Sequence, residues 1–542
     1  MPPFVFDSRR SPVMGRNGMV ATSQPLAVAA GLEMLSRGGT AADATIAAAA
    51  ALNVTEPTST GIGGDAFALY YEAATGRVHA LNASGRAPRA LTLERALQAA
   101  RPDGTLPPFH PYTVTVPGAC SGWAALVERF GRFPLADVLA PAIRLAEEGF
   151  PVAPLTAYFW ERGAARQLAQ APNGRELTIH GRAPGAGEIF RNPGLARTLR
   201  RVAASGAETF YRGEIARSIV EVVQSAGGCL SLDDLAAHRA EWTQPISTVY
   251  RGYRVWECPP NGQGMAALLA LNILEGFDLA SLPPLSAERL HLLAESLRLA
   301  FADARWYVAD PHSNPAPLEA LLSKEYAARR RALLNPQRAV LDRQRGAPAA
   351  SSDTVYLAVV DGEGNACSFI NSNYMGFGTG IVPRGWGFTL QNRGHNFSLD
   401  PRHPNVLAPG KRPYHTIIPA MLTDAESGAL WGPFGVMGGF MQPQGHVQVA
   451  AALIDDHLDP QAALDRPRFC ITDGASGGML ALEEGIPVEV MARLAEMGHP
   501  VRPVSGMGRA LFGRGQVILR DPASGVLTGG SDPRADGCAM TY

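Results

Sequence analysis

The stretch DTVYLAVVDGEGNACSFI, residues 353–370, carries the clearest fold signal in the chain. Residues 355–360 form an apolar run, residues 361–365 a polar turn, and residues 366–370 a second apolar run. Two apolar runs around a short polar turn predict a β-hairpin. Residues 335–353, just before the first run, are polar, contain proline and lack periodicity, which predicts an exposed, mobile linker.

The two sides of this linker differ in their sequence patterns. Helix patterns dominate before it, with strand-like runs at residues 66–71 and 78–81; the predicted helical stretches are residues 23–54, 121–150, 265–276, 287–308 and a charged surface helix at 317–334. Ser23 is predicted as the first N-cap, because Pro25 follows in the first turn. Strands and turns prevail after the linker, with helices expected at residues 442–454 and 487–497. The chain therefore reads as helix-rich first and strand-rich second.

Composition limits the class of protein. The chain has 542 residues, of which 46% are hydrophobic and 18% charged, which indicates a folded protein with a core too large for one small domain. Its formal net charge of -1 gives no electrostatic reason to expect nucleic acid or an anionic membrane as a partner. The six cysteines form no CxxC pair, so a reduced compartment fits best. No apolar stretch reaches the roughly 20 residues of a membrane span, and the start lacks a signal-peptide core. We expect a cytoplasmic protein.

Several common catalytic patterns are weak here. Gly474–Gly478 reads GASGG and matches the GxSxG nucleophile elbow around Ser476, but that elbow needs a following helix, and GGMLALEEG begins one poorly. The one histidine after it is His499. His395 and His403 are the nearest candidates for a metal site, yet both lie in a loop-like stretch without a helical ligand pair. The glycine clusters lack the strand and helix of a nucleotide site. We expect no metal and no cofactor.

The junction before Thr354 offers a different chemistry. If the backbone is cut there, Thr354 gains a free α-amine, which can act as general base for its own hydroxyl. An α-amine has an unperturbed pKa of roughly 7.7–8.0, so it accepts a proton near neutral pH at little cost. The position alone is weak evidence, because a threonine that begins a strand is usually only a good β former.

The surrounding motifs give the junction its weight, because the chain resembles the γ-glutamyltranspeptidase family over essentially its whole length. The motifs that carry the resemblance are, in chain order, GIGGDAF (61–67), VPGACSGW (116–123), HLLAESLRLAFADARWYVADP (291–311), DTVYLAVVDGEGNA (353–366), GFGTGI (376–381), GKRPYHTIIPAM (410–421), MGGFMQPQGH (437–446) and GGSDPRADG (529–537). Several long motifs in one order make chance agreement improbable.

This resemblance implies a fold and a mechanism. The fold class would be α+β, the four-layer αββα sandwich of the N-terminal-nucleophile hydrolases. The precursor would cleave itself into a large chain, residues 1–353, and a small chain, residues 354–542, which stay associated. Thr354 would form the acyl-enzyme, Ser372 would hydrogen-bond the nucleophile, and the backbone N–H groups of Gly438 and Gly439 would hold the oxyanion.

The substrate-binding positions depart from the family pattern. The arginine expected to bind the substrate α-carboxylate is replaced by Ser84, with Arg86 two residues on. Tyr374 stands in place of an asparagine, and Asn396 in place of the aspartate that pairs with the α-ammonium. Without that aspartate a buried ammonium lacks its counter-charge, which costs several kcal/mol.

Two further positions complete the predicted substrate pocket. His415 replaces one of two serines, and Thr416 keeps the hydroxyl of the other. Arg86, Arg393 and His415 favour a pocket that binds a carboxylate over one that binds a zwitterion. The alternative is that these three residues are ordinary charged residues of surface loops. The loop between Phe397 and Lys411 is short beside the long lid of other members of the family, which would leave the site more open.

The sequence therefore predicts an amidohydrolase or acyltransferase whose partners are a small-molecule amide and a water or amine acceptor. A γ-glutamyl group, as in glutathione, is the family default. An acylase or amidohydrolase on another carboxylate-bearing amide, as in cephalosporin acylases or an oxamate amidohydrolase, is the first alternative. An uncleaved, non-catalytic scaffold is the alternative from another class, and an α/β hydrolase acting through Ser476 is a third.

Overall fold

The computed structural model describes residues 10–341 and 355–542. Thr354 and most of the predicted linker lie outside the described residues. The described β-strands are β1 Val13–Gly15, β2 Gly18–Thr22, β3 Asp65–Glu72, β4 Arg77–Ala83, β5 Phe150–Pro151, β6 Ile189–Phe190, β7 Glu241–Thr243, β8 Ile246–Tyr250, β9 Tyr253–Glu257, β10 Val355–Asp361, β11 Ala366–Ser372, β12 Ala420–Asp424, β13 Leu430–Met437, β14 Phe469–Ile471, β15 Leu480–Glu483, β16 Val501–Val504, β17 Arg514–Arg520, β18 Leu527–Ser531 and β19 Cys538–Thr541.

Helices occur throughout the same residues. The described α-helices are α1 Pro25–Ser36, α2 Ala41–Thr55, α3 Leu93–Gln98, α4 Ala119–Phe130, α5 Leu135–Glu148, α6 Pro154–Gly163, α7 Pro193–Ser205, α8 Glu208–Tyr211, α9 Glu214–Ser225, α10 Leu232–Ala237, α11 Gly264–Leu274, α12 Ala287–Tyr307, α13 Leu318–Leu321, α14 Lys324–Arg331, α15 Met441–Ile454, α16 Pro460–Asp465 and α17 Val488–Glu496. None of them is both long and apolar enough to cross a membrane.

Two seven-stranded antiparallel sheets form the centre of the described structure. One has the strand order β1-β18-β17-β13-β12-β9-β8, and the other has the order β19-β2-β10-β11-β3-β4-β7. Both sheets combine strands from before and after the linker, since β10 pairs with β2 and β12 pairs with β9. The predicted α+β class is confirmed, and both sheets are antiparallel.

The hydrophobic residues of the sheets fall into three separate layers. Side chains such as Phe67, Tyr356 and Met421 fill the space between the two sheets. The all-buried, alanine-rich helix α2 packs on the outer face of the β10–β11 sheet, where small side chains allow close approach. Helices α11 and α15 pack on the outer face of the other sheet. Helices therefore cover both outer faces of the paired sheets.

The hairpin predicted from residues 355–370 is β10 and β11. Val355 is opposite Asn371, so the beginning of β10 lies beside the end of β11. A Cβ atom on Gly64 would lie 2.3 Å from the carbonyl oxygen of Ser372, so glycine is required where the GIGGDAF loop passes this strand end. The loop, the start of β10 and Ser372 are thus held together at one end of the central strands of this sheet.

Some local predictions need correction. Gln24, not Ser23, is the N-cap of α1, because the Ser23 hydroxyl instead donates to the Glu56 carboxylate at 2.5 Å. The predicted helix at residues 121–150 is two helices, α4 and α5, since Gly131 and Pro134 interrupt it. The charged helix at residues 317–334 is likewise two short helices, α13 and α14.

The first part of the predicted linker is partly anchored to the protein. Its exposed residues extend to Arg338, after which Ala339 N–H donates to the Met497 carbonyl at 2.7 Å. Val340 N–H donates to the Glu295 carboxylate at 3.1 Å.

The free thiols of the chain are Cys120, Cys229, Cys258, Cys367, Cys470 and Cys538.

Candidate active site

The end of β11 places Ser372 at the centre of a buried polar cluster. The Ser372 hydroxyl accepts from the Tyr374 N–H at 2.9 Å and from an Arg393 Nη2–H at 3.3 Å. Ser372 is fully buried. Its neighbour across the hairpin is the start of β10, which follows Thr354 directly in sequence. The predicted hydroxyl is therefore held beside the start of β10, whose first residue, Val355, follows the predicted nucleophile in sequence.

Arg393 is a fully buried cation in this cluster. Its Nη1–H donates to the Thr416 hydroxyl at 2.6 Å, and its guanidinium lies 4.3 Å from the centroid of the Tyr374 ring. The nearest carboxylate oxygen, on Asp65, is 3.9 Å from Nε. Burial lowers the pKa of Arg393 to about 10, although Asp65 and Tyr374 oppose that change. The guanidinium therefore stays protonated at neutral pH without a close, hydrogen-bonded counter-ion.

Asp65 and His415 form a buried pair in the cluster. His415 Nε2 lies 3.1 Å from the Asp65 carboxylate, and its Nδ1 accepts from the Ile417 N–H at 3.4 Å. Burial, and next the Arg393 charge, lower the pKa of His415 to about 3, so the ring is neutral at pH 7. Because a carboxylate can only accept, the proton is assigned to Nε2. The other Asp65 oxygen accepts from the Gly85 N–H at 2.9 Å.

Tyr374 and Asn396 extend the cluster toward the surface. Tyr374 has φ 81°, which is unusual for a bulky residue and indicates a position held by its surroundings. Its hydroxyl donates to the Asn396 Oδ1 at 2.5 Å, and the Asn396 Nδ2 donates to the Tyr414 carbonyl at 3.1 Å. Burial raises the pKa of Tyr374 to about 12, against the effect of Arg393. The position predicted to lack an anion is thus occupied by a neutral amide with both ends hydrogen-bonded.

Gly438 and Gly439 lie between β13 and α15. Their φ values of 135° and 59° are in the region that favours glycine. Neither N–H group donates a hydrogen bond to another described residue. These groups precede the N-terminus of α15, where the helix dipole favours negative charge. Two such adjacent amides have the chemistry of an oxyanion site.

Gln263 connects this glycine pair to the buried cluster. Its Nε2–H groups donate to the carbonyls of Thr416 at 2.7 Å and Gly439 at 2.8 Å, and its Oε1 accepts from the Tyr414 hydroxyl at 2.9 Å. Neither Gln263 nor Asp65 was among the predicted site residues. Asp65 had a sequence signal, since it is a lone carboxylate in the apolar start of a strand motif; Gln263 had none.

Arg86 is placed apart from the other predicted residues. Its guanidinium donates to the Asp310 carboxylate at 2.8 Å and lies 3.3 Å from Glu241. Arg412 joins the same group through two bonds to Glu241, at 2.9 and 3.0 Å. The Arg86 charge is therefore already neutralised by carboxylates. Its role in binding substrate stays a prediction, and this arrangement gives it less support than Arg393 has.

The alternative catalytic residues have other surroundings. Ser476 is followed by strand β15. The helix that a nucleophile elbow needs is therefore absent from the described residues directly after Ser476, in agreement with the sequence analysis. His499 Nε2 lies 2.8 Å from a ring nitrogen of His291. His395 Nδ1 lies 2.8 Å from the Leu106 carbonyl, and His403 Nδ1 accepts from the Asn405 N–H at 3.0 Å. Within residues 10–341 and 355–542, no group of three His, Cys, Asp or Glu residues could hold a metal ion.

Clefts reach this site from the surface. Gly438 lines one cleft of about 630 Å³ and a second of about 370 Å³. Asn396 and Tyr414 line a third cleft of about 710 Å³. Gly438 is thus partly exposed to solvent, whereas Gly439, Arg393 and Ser372 are buried.

The chain is similar to known proteins over nearly its whole length. The model of the Gamma-glutamyltranspeptidase family matches residues 27–542. The chain is 38% identical to the Glutathione hydrolase-like YwrD proenzyme of Bacillus subtilis over 97% of this chain and 99% of that protein. It is 34% identical to the Oxamate amidohydrolase proenzyme of Klebsiella pneumoniae, over 97% and 98% of the two chains. The crystal structure of cephalosporin acylase from Bacillus halodurans superposes with a TM-score of 0.92 and 48% identity, covering 100% of this chain and 99% of that one.

The matched residues and the antiparallel sheets define the class of protein as an N-terminal-nucleophile hydrolase. The chain belongs to the gamma-glutamyltranspeptidase family. It is an enzyme, and a threonine nucleophile is consistent with that family.

Proposed function

We propose that the enzyme cleaves itself before Thr354 and then hydrolyses, or transfers to an amine, an acyl group that carries a carboxylate but no neighbouring ammonium. One observation carries the second part: among the described residues the buried Arg393 cation hydrogen-bonds only to hydroxyl groups, with its nearest carboxylate 3.9 Å away, and Asn396 is a neutral amide. A γ-glutamyl group carries both charges, whereas a glutaryl group carries only the carboxylate.

The reaction needs no group beyond the chain and water. The Thr354 hydroxyl oxygen attacks the amide carbonyl, and its proton passes to the Thr354 α-amine. The N–H groups of Gly438 and Gly439 stabilise the negative oxygen of the tetrahedral intermediate. When the intermediate collapses, the C–N bond breaks and the leaving amine takes the proton from the α-ammonium. Water or an acceptor amine then attacks the ester in the same way and releases Thr354.

The sheet topology supports two chains that remain associated after cleavage. Strand β10, which directly follows the predicted cut, is hydrogen-bonded between β2 and β11. Strands β9 and β12 pair across the same division. A large chain of residues 1–353 and a small chain of residues 354–542 would therefore share both sheets and one core. The word proenzyme in the names of the relatives supports processing of this kind.

The first experiment tests cleavage and the nucleophile together. Purified protein should give two bands on a denaturing gel, and mass spectrometry should find a chain that begins TVYLAVV. Thr354→Ala should give one band and no activity. Thr75→Ala, an exposed threonine in the turn after β3, is the matched control and should keep both. An active wild type that stays intact contradicts the mechanism, and an inactive single band supports the scaffold alternative.

The second experiment tests the acyl group. Glutaryl-p-nitroanilide and γ-glutamyl-p-nitroanilide differ only in the α-ammonium, and release of ammonia from oxamate provides a third substrate. We expect the glutaryl compound to have a kcat/KM at least about tenfold higher, which corresponds to about 1.4 kcal/mol. Faster turnover of the γ-glutamyl compound would return the family default, glutathione chemistry, to first place. The cytoplasmic location stays a prediction, which cell fractionation would test.

A further inference from the structure

The cleft of about 630 Å³ that Gly438 helps to line has a distinctive set of lining residues. One wall is formed by Tyr158 and Arg162 of α6 and by Arg166 of the π-helical segment Ala164–Leu168 that follows it. These three residues are spaced four apart, so they share one helical face. Among the described residues that line the cleft, two are arginines and none is an aspartate or glutamate.

The two arginines remain available for a ligand. Neither forms an ion pair with a described residue, and both are exposed. Arg162 donates to the Tyr158 hydroxyl at 2.8 Å and lies 5.5 Å from its ring centroid. Arg166 lies 5.2 Å from the ring centroid of Phe109, which is also part of the lining. The cleft thus presents two cationic groups beside flat aromatic surfaces.

This wall is tied directly to the catalytic cluster. Gln167, next to Arg166, donates to the carbonyls of Met375 at 2.7 Å and Gly378 at 2.6 Å, in the loop that carries Tyr374. A Cβ atom on Gly163 would lie 2.6 Å from the Phe377 ring, so glycine allows the helix to approach that loop. The cationic face is therefore fixed relative to Gly438, which lies in the same cleft.

Position decides which half of an amide substrate fits here. The carboxylate-binding candidates Arg393 and Thr416 are buried and do not line this cleft, so the acyl group belongs to a different side of Gly438. The leaving amine has to reach solvent, and an acceptor amine has to come from it. An open cleft lined by Gly438, one of the two predicted oxyanion glycines, satisfies both needs.

We propose that this cleft binds the amine half of the substrate, and the acceptor amine, and that it selects an amine bearing a carboxylate on a flat ring. The inference rests on the proposed function and adds the class of amine to it. Arginine binds a carboxylate through paired N–H groups, and the aromatic side chains offer stacking surfaces to the ring.

A matched pair of substrates tests the selection. Glutaryl-4-aminobenzoate and glutaryl-4-aminobenzamide share the acyl group and the ring, and differ in the charge of the amine half. We expect kcat/KM to be at least about tenfold higher for the benzoate. The double variant Arg162→Gln/Arg166→Gln should bring the ratio to about one, whereas Arg201→Gln, an exposed arginine of α7 outside the cleft, should leave it unchanged. A ratio near one in the wild type, or an unchanged ratio in the double variant, overturns the proposal.

Direct binding separates this proposal from the proposed function. Calorimetry on cleaved wild type should give a Kd for 4-aminobenzoate at least about tenfold below that for 4-aminobenzamide, and the double variant should lose the difference. The preference should weaken with salt, since exposed charges are screened. If neither glutaryl amide is turned over but 4-aminobenzoate still binds more tightly than 4-aminobenzamide, the proposed acyl group is wrong and the proposed role of the cleft stands. Equal binding of the two amines overturns the cleft assignment whatever the turnover.

Discussion

Two arginine clusters of the described structure hold their charge in opposite ways. In the cluster of Arg86 and Arg412, each guanidinium is within 3.5 Å of a carboxylate, and Arg412 binds both oxygens of Glu241. Arg393 instead has hydroxyl partners and the Tyr374 ring, and its nearest carboxylate is 3.9 Å away. A neutralised pair joins segments of the chain, whereas a buried cation short of a counter-ion is ready to bind an anion.

The largest expected effect comes from removing the cation of the second cluster. Arg393→Gln should lower kcat/KM for glutaryl-p-nitroanilide at least about 100-fold, because a buried partner of a substrate carboxylate contributes about 2–5 kcal/mol. Steady-state kinetics measures the loss, and a thermal melt confirms that the variant is folded. Unchanged kcat/KM in a folded, cleaved variant would remove Arg393 from the substrate site.

The pH dependence of stability is the next test of this cluster. The folded pKa of His415 is about 3, below an unfolded value of about 6.5, so the unfolded state binds more protons between these two values. Stability from this group is therefore present above pH 6.5 and falls as the pH drops toward 3. Between pH 7 and pH 5 the loss should be about 2 kcal/mol.

Denaturant titrations at pH 7 and pH 5 measure this loss. Other buried histidines with lowered pKa values, His238, His446 and His499, add to the wild-type slope. His415→Gln is therefore compared with wild type, and it should show a smaller difference between the two pH values. An identical difference in both proteins would mean that His415 becomes protonated without cost in the folded state.

The neutralised cluster should respond in stability and not in catalysis. Arg86→Gln leaves the buried Asp310 carboxylate with one fewer partner, so the free energy of unfolding should fall by about 1–2 kcal/mol. Its kcat/KM should stay within about threefold of wild type, since the Arg86 charge is already paired with Asp310 and Glu241 and not with the substrate. A large loss of kcat/KM with normal stability would instead place Arg86 in the substrate site, as the sequence first indicated.

The smallest expected effect sharpens the charge argument. Asn396→Asp restores an anion beside the Tyr374 hydroxyl, and it should raise the ratio of γ-glutamyl to glutaryl turnover about tenfold, or about 1.4 kcal/mol. Total activity should fall, because the Tyr414 carbonyl accepts a hydrogen bond from the Asn396 amide in the wild type, and a carboxylate at this position cannot donate one. Asn17→Asp, at an exposed asparagine between β1 and β2, is the control and should not raise the ratio. An unchanged ratio in Asn396→Asp would mean that the pocket excludes the ammonium by shape.

Much of the local structure could be read from the sequence, and the failures have physical reasons. The hairpin of β10 and β11 follows from strong alternation of apolar runs and a polar turn. The helix boundaries at Gly131 and in the charged stretch before Leu334 were missed, because periodicity continues across a short break. Ser23 was assigned a cap because its contact with Glu56 joins residues 33 positions apart, which no local pattern reveals.

The sequence by itself determined the family, the α+β class and the residue types of the site, because motifs such as GIGGDAF and MGGFMQPQGH keep their order along the chain. Tertiary structure decided which arginine, in the part of the chain that the structure describes, keeps a charge without a hydrogen-bonded carboxylate. The sequence does not distinguish Arg86 from Arg393. Arg86 pairs with Asp310 and Glu241, both more than 150 residues away along the chain. Arg393 instead hydrogen-bonds to Ser372 and Thr416. Charge compensation depends on distance in space, and only the folded chain sets that distance.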